Sequence, residues 1–251
     1  MNTLFVVAAV VVLLIVAFIA WQRRVVRRQA EGLEQVARGI RDLRTRSKVV
    51  PTMNRVATEG SGVPAQFAPI QAELEREGLR MLGDVEELNL DGSVAGRLRW
   101  FASNDGTIWG WFGLANGVVP VMLMLSEDAG RGFTATIRSP HAPSTVSPET
   151  VRELRLRWEE GLDAALDGQR AAVTAMAAPV RVTDLDGAIA SLHRLKEHTN
   201  AWRTQQDPDA LLEADVRNIV GDRYDELGEP VMALVAMLEM FDTSGSAADR
   251  P

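Results

Sequence analysis

The hydrophobic pattern begins as a run. From Leu4 to Trp21 the chain reads LFVVAAVVVLLIVAFIAW, without one charged residue. As a helix rising about 1.5 Å per residue it spans roughly 27 Å, close to the ~30 Å of a bilayer's hydrocarbon core. In lipid the backbone polar groups must pair internally, so a helix is required. Residues 1–22 are therefore predicted to be a transmembrane anchor with Trp21 at headgroup level. Arg23, Arg24, Arg27 and Arg28 follow at once, whereas nothing before the run is charged except the amino terminus. Basic flanks stay in the cytoplasm, so the expectation is a single pass through the inner (cell) membrane, amino terminus outside and body inside. A cleaved signal peptide would call for a basic segment ahead of the run and a small-x-small site after it; the chain has neither.

Beyond the anchor the pattern turns helical. Leu33, Val36, Ile40 and Leu43 fall at a–d–a–d spacing, flanked by Val26 and Val50. This narrow seam over residues 23–50 suits pairing with a second copy of the chain, weakened by Gln29 and Gly39 and ended by Pro51. Residues 51–64, PTMNRVATEGSGVP, have no apolar period and read as a flexible linker. A short helix is expected from about Pro64 to Glu77, with Phe67, Ile70 and Leu74 on one face and Gly78 closing it.

The period then changes to two. Candidate strands cover Leu79–Leu90, Gly96–Ser103, Thr107–Leu114, Val118–Ser126 and Phe133–Ser139, separated by Asp91-Gly92, Asn104-Asp105-Gly106, Asn116-Gly117 and Asp128 to Gly132. Short turns join antiparallel neighbours, so about five strands form a meander. At the Asp105-Gly106 turn two registers are open: one sets Trp100 opposite Trp111, the other sets Arg99 there. In both, Trp109 and Trp111 share a face, since strand side chains alternate.

Ser147-Pro148-Glu149 reads as an N-cap, a first-turn proline and an acid at the positive end of a helix dipole. Val151, Leu154, Trp158, Leu162 and Leu166 continue at helical spacing to about Ala177. Further helices are expected at about Thr183–Arg203, Asp207–Val220 and Glu229–Phe241, then a disordered tail. The fold class is thus α+β: one transmembrane helix, then an antiparallel meander flanked by helices and followed by a helical segment. The expected divisions are an anchor at 1–22, a basic helix at 23–50, a linker at 51–64, an α+β domain at 65–177, a helical segment at 178–241 and a tail at 242–251.

Charge sharpens this layout. Residues 22–48 hold nine basic and three acidic side chains, a local +6; from residue 49 on there are 18 basic against 31 acidic, or −13. An acidic body is a poor partner for nucleic acid, whose phosphates need clustered Arg and Lys. The basic neck suits an anionic lipid surface. Only Lys48 and Lys196 are lysines, the arginine-heavy usage of GC-rich bacterial coding sequence. With no cysteine, disulfides, zinc–thiolate sites and cysteine nucleophiles are excluded.

Candidate chemistry is sparse. His193 and His198 are five apart, about 140° around a helix, so they diverge instead of gripping a metal, and Glu197 beside His193 is a surface pair. Asp184-Leu185-Asp186-Gly187 fits no EF-hand loop, because His193 would stand at position twelve. No nucleotide-binding glycine motif and no serine elbow occurs. No catalytic, metal or cofactor residue is therefore assigned. The densest feature is the aromatic cluster around Trp100, Phe101, Trp109, Trp111 and Phe112. It is either core beneath a covering helix or, through Trp100, Trp109 and Trp111, the wall of a ligand pocket. Val231–Phe241, rich in Met and apolar nearly all round, is too short to span a bilayer; it is expected in a bundle or on a protein partner. The sequence reading is a membrane-tethered cytoplasmic interaction or scaffold module, with ligand sensing through the aromatic cluster as its rival and an enzyme of another type as the third reading.

Overall fold

The computed structural model describes residues 30–45, 48, 52–56, 67–88, 93–115, 119–139 and 145–248. The expected anchor, with Trp21, Arg23, Arg24, Arg27 and Arg28, lies outside them; among the described residues no helix is long and apolar enough to cross a membrane. In chain order the elements are α1 (residues 30–45), β1 (Thr52–Val56), α2 (Ala68–Arg76), β2 (Leu79–Leu88), β3 (Val94–Ser103), β4 (Trp109–Ala115), β5 (Val119–Asp128), β6 (Gly132–Arg138), β7 (Val151–Leu156), α3 (Gly161–Ala175), α4 (Leu185–Arg203), α5 (Pro208–Val220) and α6 (Tyr224–Ala248). The described residues divide into two compact units, one within residues 46–207 and one formed by residues 30–45 together with 208–248.

The larger unit is α+β. Its seven strands lie in the order β1-β2-β3-β4-β5-β6-β7, antiparallel throughout except for the parallel pair β6–β7. The expected five-strand meander is β2 to β6, and both ends of the sheet extend it. Where the sequence reads as a linker, Thr52–Val56 pairs with the free edge of β2. Where Ser147-Pro148-Glu149 reads as a helix start, Val151–Leu156 is instead a strand on β6, and the helix begins only at Gly161. The residues of β7 satisfy both periods; the open edge of β6 decides, since an extended segment gains a ladder of backbone hydrogen bonds there. The third difference is in the expected tail, of which residues 242–248 continue helix α6.

The β3–β4 hairpin adopts the first register, Trp100 opposite Trp111 and Ala102 opposite Trp109. Asp105 stabilises its turn by accepting from Ser103 Oγ at 2.6 Å and from Thr107 N at 3.1 Å. Gly106 takes φ +75° there, and its carbonyl accepts from Val182 N at 2.8 Å.

Alternation gives the sheet two apolar faces, and each has its own cover. One carries Phe101, Phe112, Met122 and Met124 beneath Phe67 and Leu74 from the α2 region and Leu162, Ala165 and Leu166 of α3. Within it the fully buried Gln169 accepts from Thr136 Oγ1 (2.6 Å) and donates to Ser126 Oγ (2.9 Å) and the Thr134 carbonyl (3.0 Å). The other face carries Val85, Leu98, Trp100, Trp109, Leu125 and Phe133 beneath Ala188, Leu192 and Leu195 of α4. The segment between α3 and α4 crosses the sheet's end: Ala129 N donates to Ala178 O and Val180 N to Glu127 O. Asp184 then caps α4 by accepting from Gly187 N at 2.8 Å.

The smaller unit is helical. Ala37 and Ile40 of α1, Val216 of α5, and Val231 and Val235 of α6 form its core, with Leu33, Leu234 and Leu238 around them. Leu33 and Ile40 of the expected pairing seam are thus packed within their own chain, whereas Val36 is exposed. Arg44 joins the three helices, meeting Asp215 of α5 at 2.8 Å and Glu239 of α6 at 3.0 Å.

Candidate binding cleft

Helix α4 is placed by its apolar stripe, and what it carries beside that stripe forms the site. Ala188, Leu192 and Leu195 bind it to the sheet. At three- and four-residue steps Ile189, His193, Lys196 and Asn200 follow along one adjoining line of the helix. His193 Nε2 and Asn200 Oδ1 on this line are buried and have no hydrogen-bond partner among the described residues. So are the indole Nε1 atoms of Trp100 and Trp109 on the sheet face below. The interface is therefore polar as well as apolar. Lys196 is half-buried; burial lowers its pKa from the ordinary lysine value, against the raising pull of Glu87 and Glu153, and Arg203 adds to the lowering.

Trp100 and Trp109 are wholly buried and stack with ring centroids 6.3 Å apart and planes 7° from parallel. They belong to the core beneath α4. Trp111 lies on the same face, partly buried against that cluster. The aromatic side chain that walls a cleft is a different one, Trp202.

The cleft lies where the last turns of α4 meet the segment before β7. It holds about 640 Å³ and is lined by Ser147, Pro148, Glu149, Thr150, His198, Ala201, Trp202, Gln205 and Gln206. Its two sides are tied together. Arg203, buried at the end of α4, donates to the Val146 carbonyl at 2.9 Å. Thr150 Oγ1 and His198 Nε2 lie 2.7 Å apart, and Ser147 Oγ donates to Glu153 Oε1 at 2.6 Å. Behind them Phe133 N donates to Thr150 O, and Val151 N to Pro148 O. The floor beyond α4 is a turn: Gln205 N donates to Trp202 O, and the Gln206 side chain donates to the same carbonyl at 3.1 Å. The lining thus comes from the last turns of α4 and from the turns before β7 and after α4, tied together by these bonds.

Chemically the lining is mixed and nearly uncharged. Two hydroxyls, two carboxamides, one imidazole and one carboxylate surround one indole. The Thr150–His198 pair has the separation of a nucleophile and its base. However, His198 Nδ1 meets no hydrogen-bond partner among the described residues, and the ring's other neighbour is Phe133, 6.2 Å away between centroids. A base in such a pair is normally held and charged from its far nitrogen. Among the described residues no group of three or more His, Asp or Glu is placed to hold a metal.

Sequence reasoning treated His198 as a surface residue and passed over Trp202, Gln205 and Gln206. Their partners in the cleft lie some fifty residues earlier in the chain, and no local period reveals such a meeting. Comparison with protein-family models, with curated proteins and with solved structures finds no match.

Proposed function

We propose that the chain is a membrane-tethered binding module. Residues 1–22 hold it in the bilayer, the body works on the cytoplasmic side, and the cleft beside the end of α4 receives its ligand. The cleft itself carries this reading: an open groove of about 640 Å³ in which the Trp202 indole meets hydroxyl and carboxamide groups from the segment before β7 and the turn after α4. The uncharged run from Leu4 to Trp21 and the arginines after it support the tether and its direction.

The test uses the full chain in its own membrane. A photo-crosslinking residue in place of Gln205 is expected to trap one specific adduct on illumination. Ala201→Trp, which fills the cleft from the exposed side of α4, is expected to abolish it. No adduct, or the same adduct in the Ala201→Trp background, would overturn the reading.

A further inference from the structure

We infer that the cleft takes a neutral saccharide ring, free or as the headgroup of a glycolipid. This rests on the binding reading above and adds the chemistry of the ligand. A selective anion site concentrates donors that carry positive charge. Among the described residues the lining holds no Arg or Lys; its one imidazole, His198, is engaged with Thr150, and Glu149 would repel an anion. Arg203 stands close by in the chain but is buried and spends a donor on the Val146 carbonyl. A cation site would want converging carboxylates, and Glu149 is the single one in the lining.

What remains is a matched set for hydroxyl groups. Ser147, whose proton goes to Glu153, accepts; Thr150 is paired with His198 and has a lone pair to spare; the carboxamides of Gln205 and Gln206 present both roles, one Gln206 N–H going to the Trp202 carbonyl. A sugar ring offers the same dual roles around its edge, while its C–H face is apolar. That face fits against the Trp202 indole, with Pro148 and Ala201 extending the apolar patch. The net charge of −13 beyond residue 48 gives no attraction to phosphate-rich surfaces, whereas a neutral headgroup imposes no such penalty. A tether at the membrane brings glycolipid headgroups within reach of the cleft.

The experiment uses full-length protein in detergent micelles and in phosphatidylcholine vesicles. Cellobiose, maltose and chitobiose are the free probes; a monoglucosyl diacylglycerol in the vesicles is the headgroup probe. Saturation-transfer NMR is expected to show binding of at least one, with a Kd on the order of 1 mM. Trp202→Ala should weaken it at least ~10-fold, and Trp202→Phe, which keeps a ring face, should restore much of that loss. Melting curves verify that both variants fold. Binding of a free disaccharide identifies a soluble sugar; binding confined to the vesicle probe identifies a headgroup. Absence of saturable binding for every probe, or equal binding by Trp202→Ala, overturns the inference. A polypeptide trapped at position 205 likewise overturns it while leaving the binding reading intact; absence of any adduct sinks both.

Discussion

At Lys196 of α4 two opposing effects meet: burial disfavours the ammonium, and Glu87 and Glu153 favour it, with burial the larger. A lysine whose folded pKa lies below its unfolded value of about 10.4 binds fewer protons folded than unfolded between those two values. Stability of the native chain therefore rises with pH through that window. Lys196→Met is expected to raise the melting temperature at pH 7, and its advantage should shrink as pH climbs toward the ordinary lysine pKa. Melting curves at pH 7 and pH 10.5 check this; a variant that melts lower at pH 7 contradicts it. Gly110 gives a prediction of the opposite sign. A Cβ there would lie 1.9 Å from the Leu123 carbonyl oxygen of the neighbouring strand. Gly110→Ala must push β4 and β5 apart, at a cost of about 3 kcal/mol or more in urea unfolding. Neither effect is visible in the sequence, where Gly110 is one of twenty glycines and Lys196 sits on a helix that looks solvated.

Among the elements, those with their own punctuation were legible. Strands β2 to β6 are bounded by turn residues and alternate cleanly; α4 has its Asp184 cap and α5 its leading Pro208. The two strands that escaped are those whose pairing comes from elsewhere. β1, TMNRV, has no apolar period and is held by the edge of β2. β7 alternates as well as it spirals, and the edge of β6 selects the strand. In the helical unit, Leu33 and Ile40 of the expected seam pack on α5 and α6 of the same chain, while Val36 is exposed. The buried Arg44–Asp215 pair fixes how those helices meet. Asp215→Ala leaves Arg44 with one carboxylate fewer in a dry site and is expected to destabilise the unit by ~3–5 kcal/mol. Arg44→Met combined with Asp215→Leu should recover most of that loss, since a well-packed apolar pair avoids the desolvation cost. Urea unfolding of the two variants decides it; a double variant as unstable as the single would contradict the reading.

For the molecule as a whole, the uncharged run and its arginines organise the functional proposal, and the cleft gives it a destination. The site was less legible than the fold. The hairpin tryptophans drew attention by their density in the sequence, yet Trp100 and Trp109 are core, and the cleft draws on Trp202 from a helix and on a segment before β7. A chain beginning at residue 30 keeps α1, and with it the Leu33–Ile40 face that α5 and α6 need. Without residues 1–29 it is expected to leave the membrane fraction on alkaline extraction, while the full chain stays. A truncation at residue 50 would instead strip α1 from its unit and is expected to aggregate through the exposed Val216, Val231 and Val235.

The proposed tether and binding roles are separable: the anchor would set where the body works, and the cleft would bind. Trapping at position 205 in the chain lacking residues 1–29, supplied with membrane extract, tests this. The expected result is the same adduct as the full chain forms, again abolished by Ala201→Trp. An adduct formed by the full chain and lost on removal of the anchor, from a protein whose melting curve is unchanged, would contradict it.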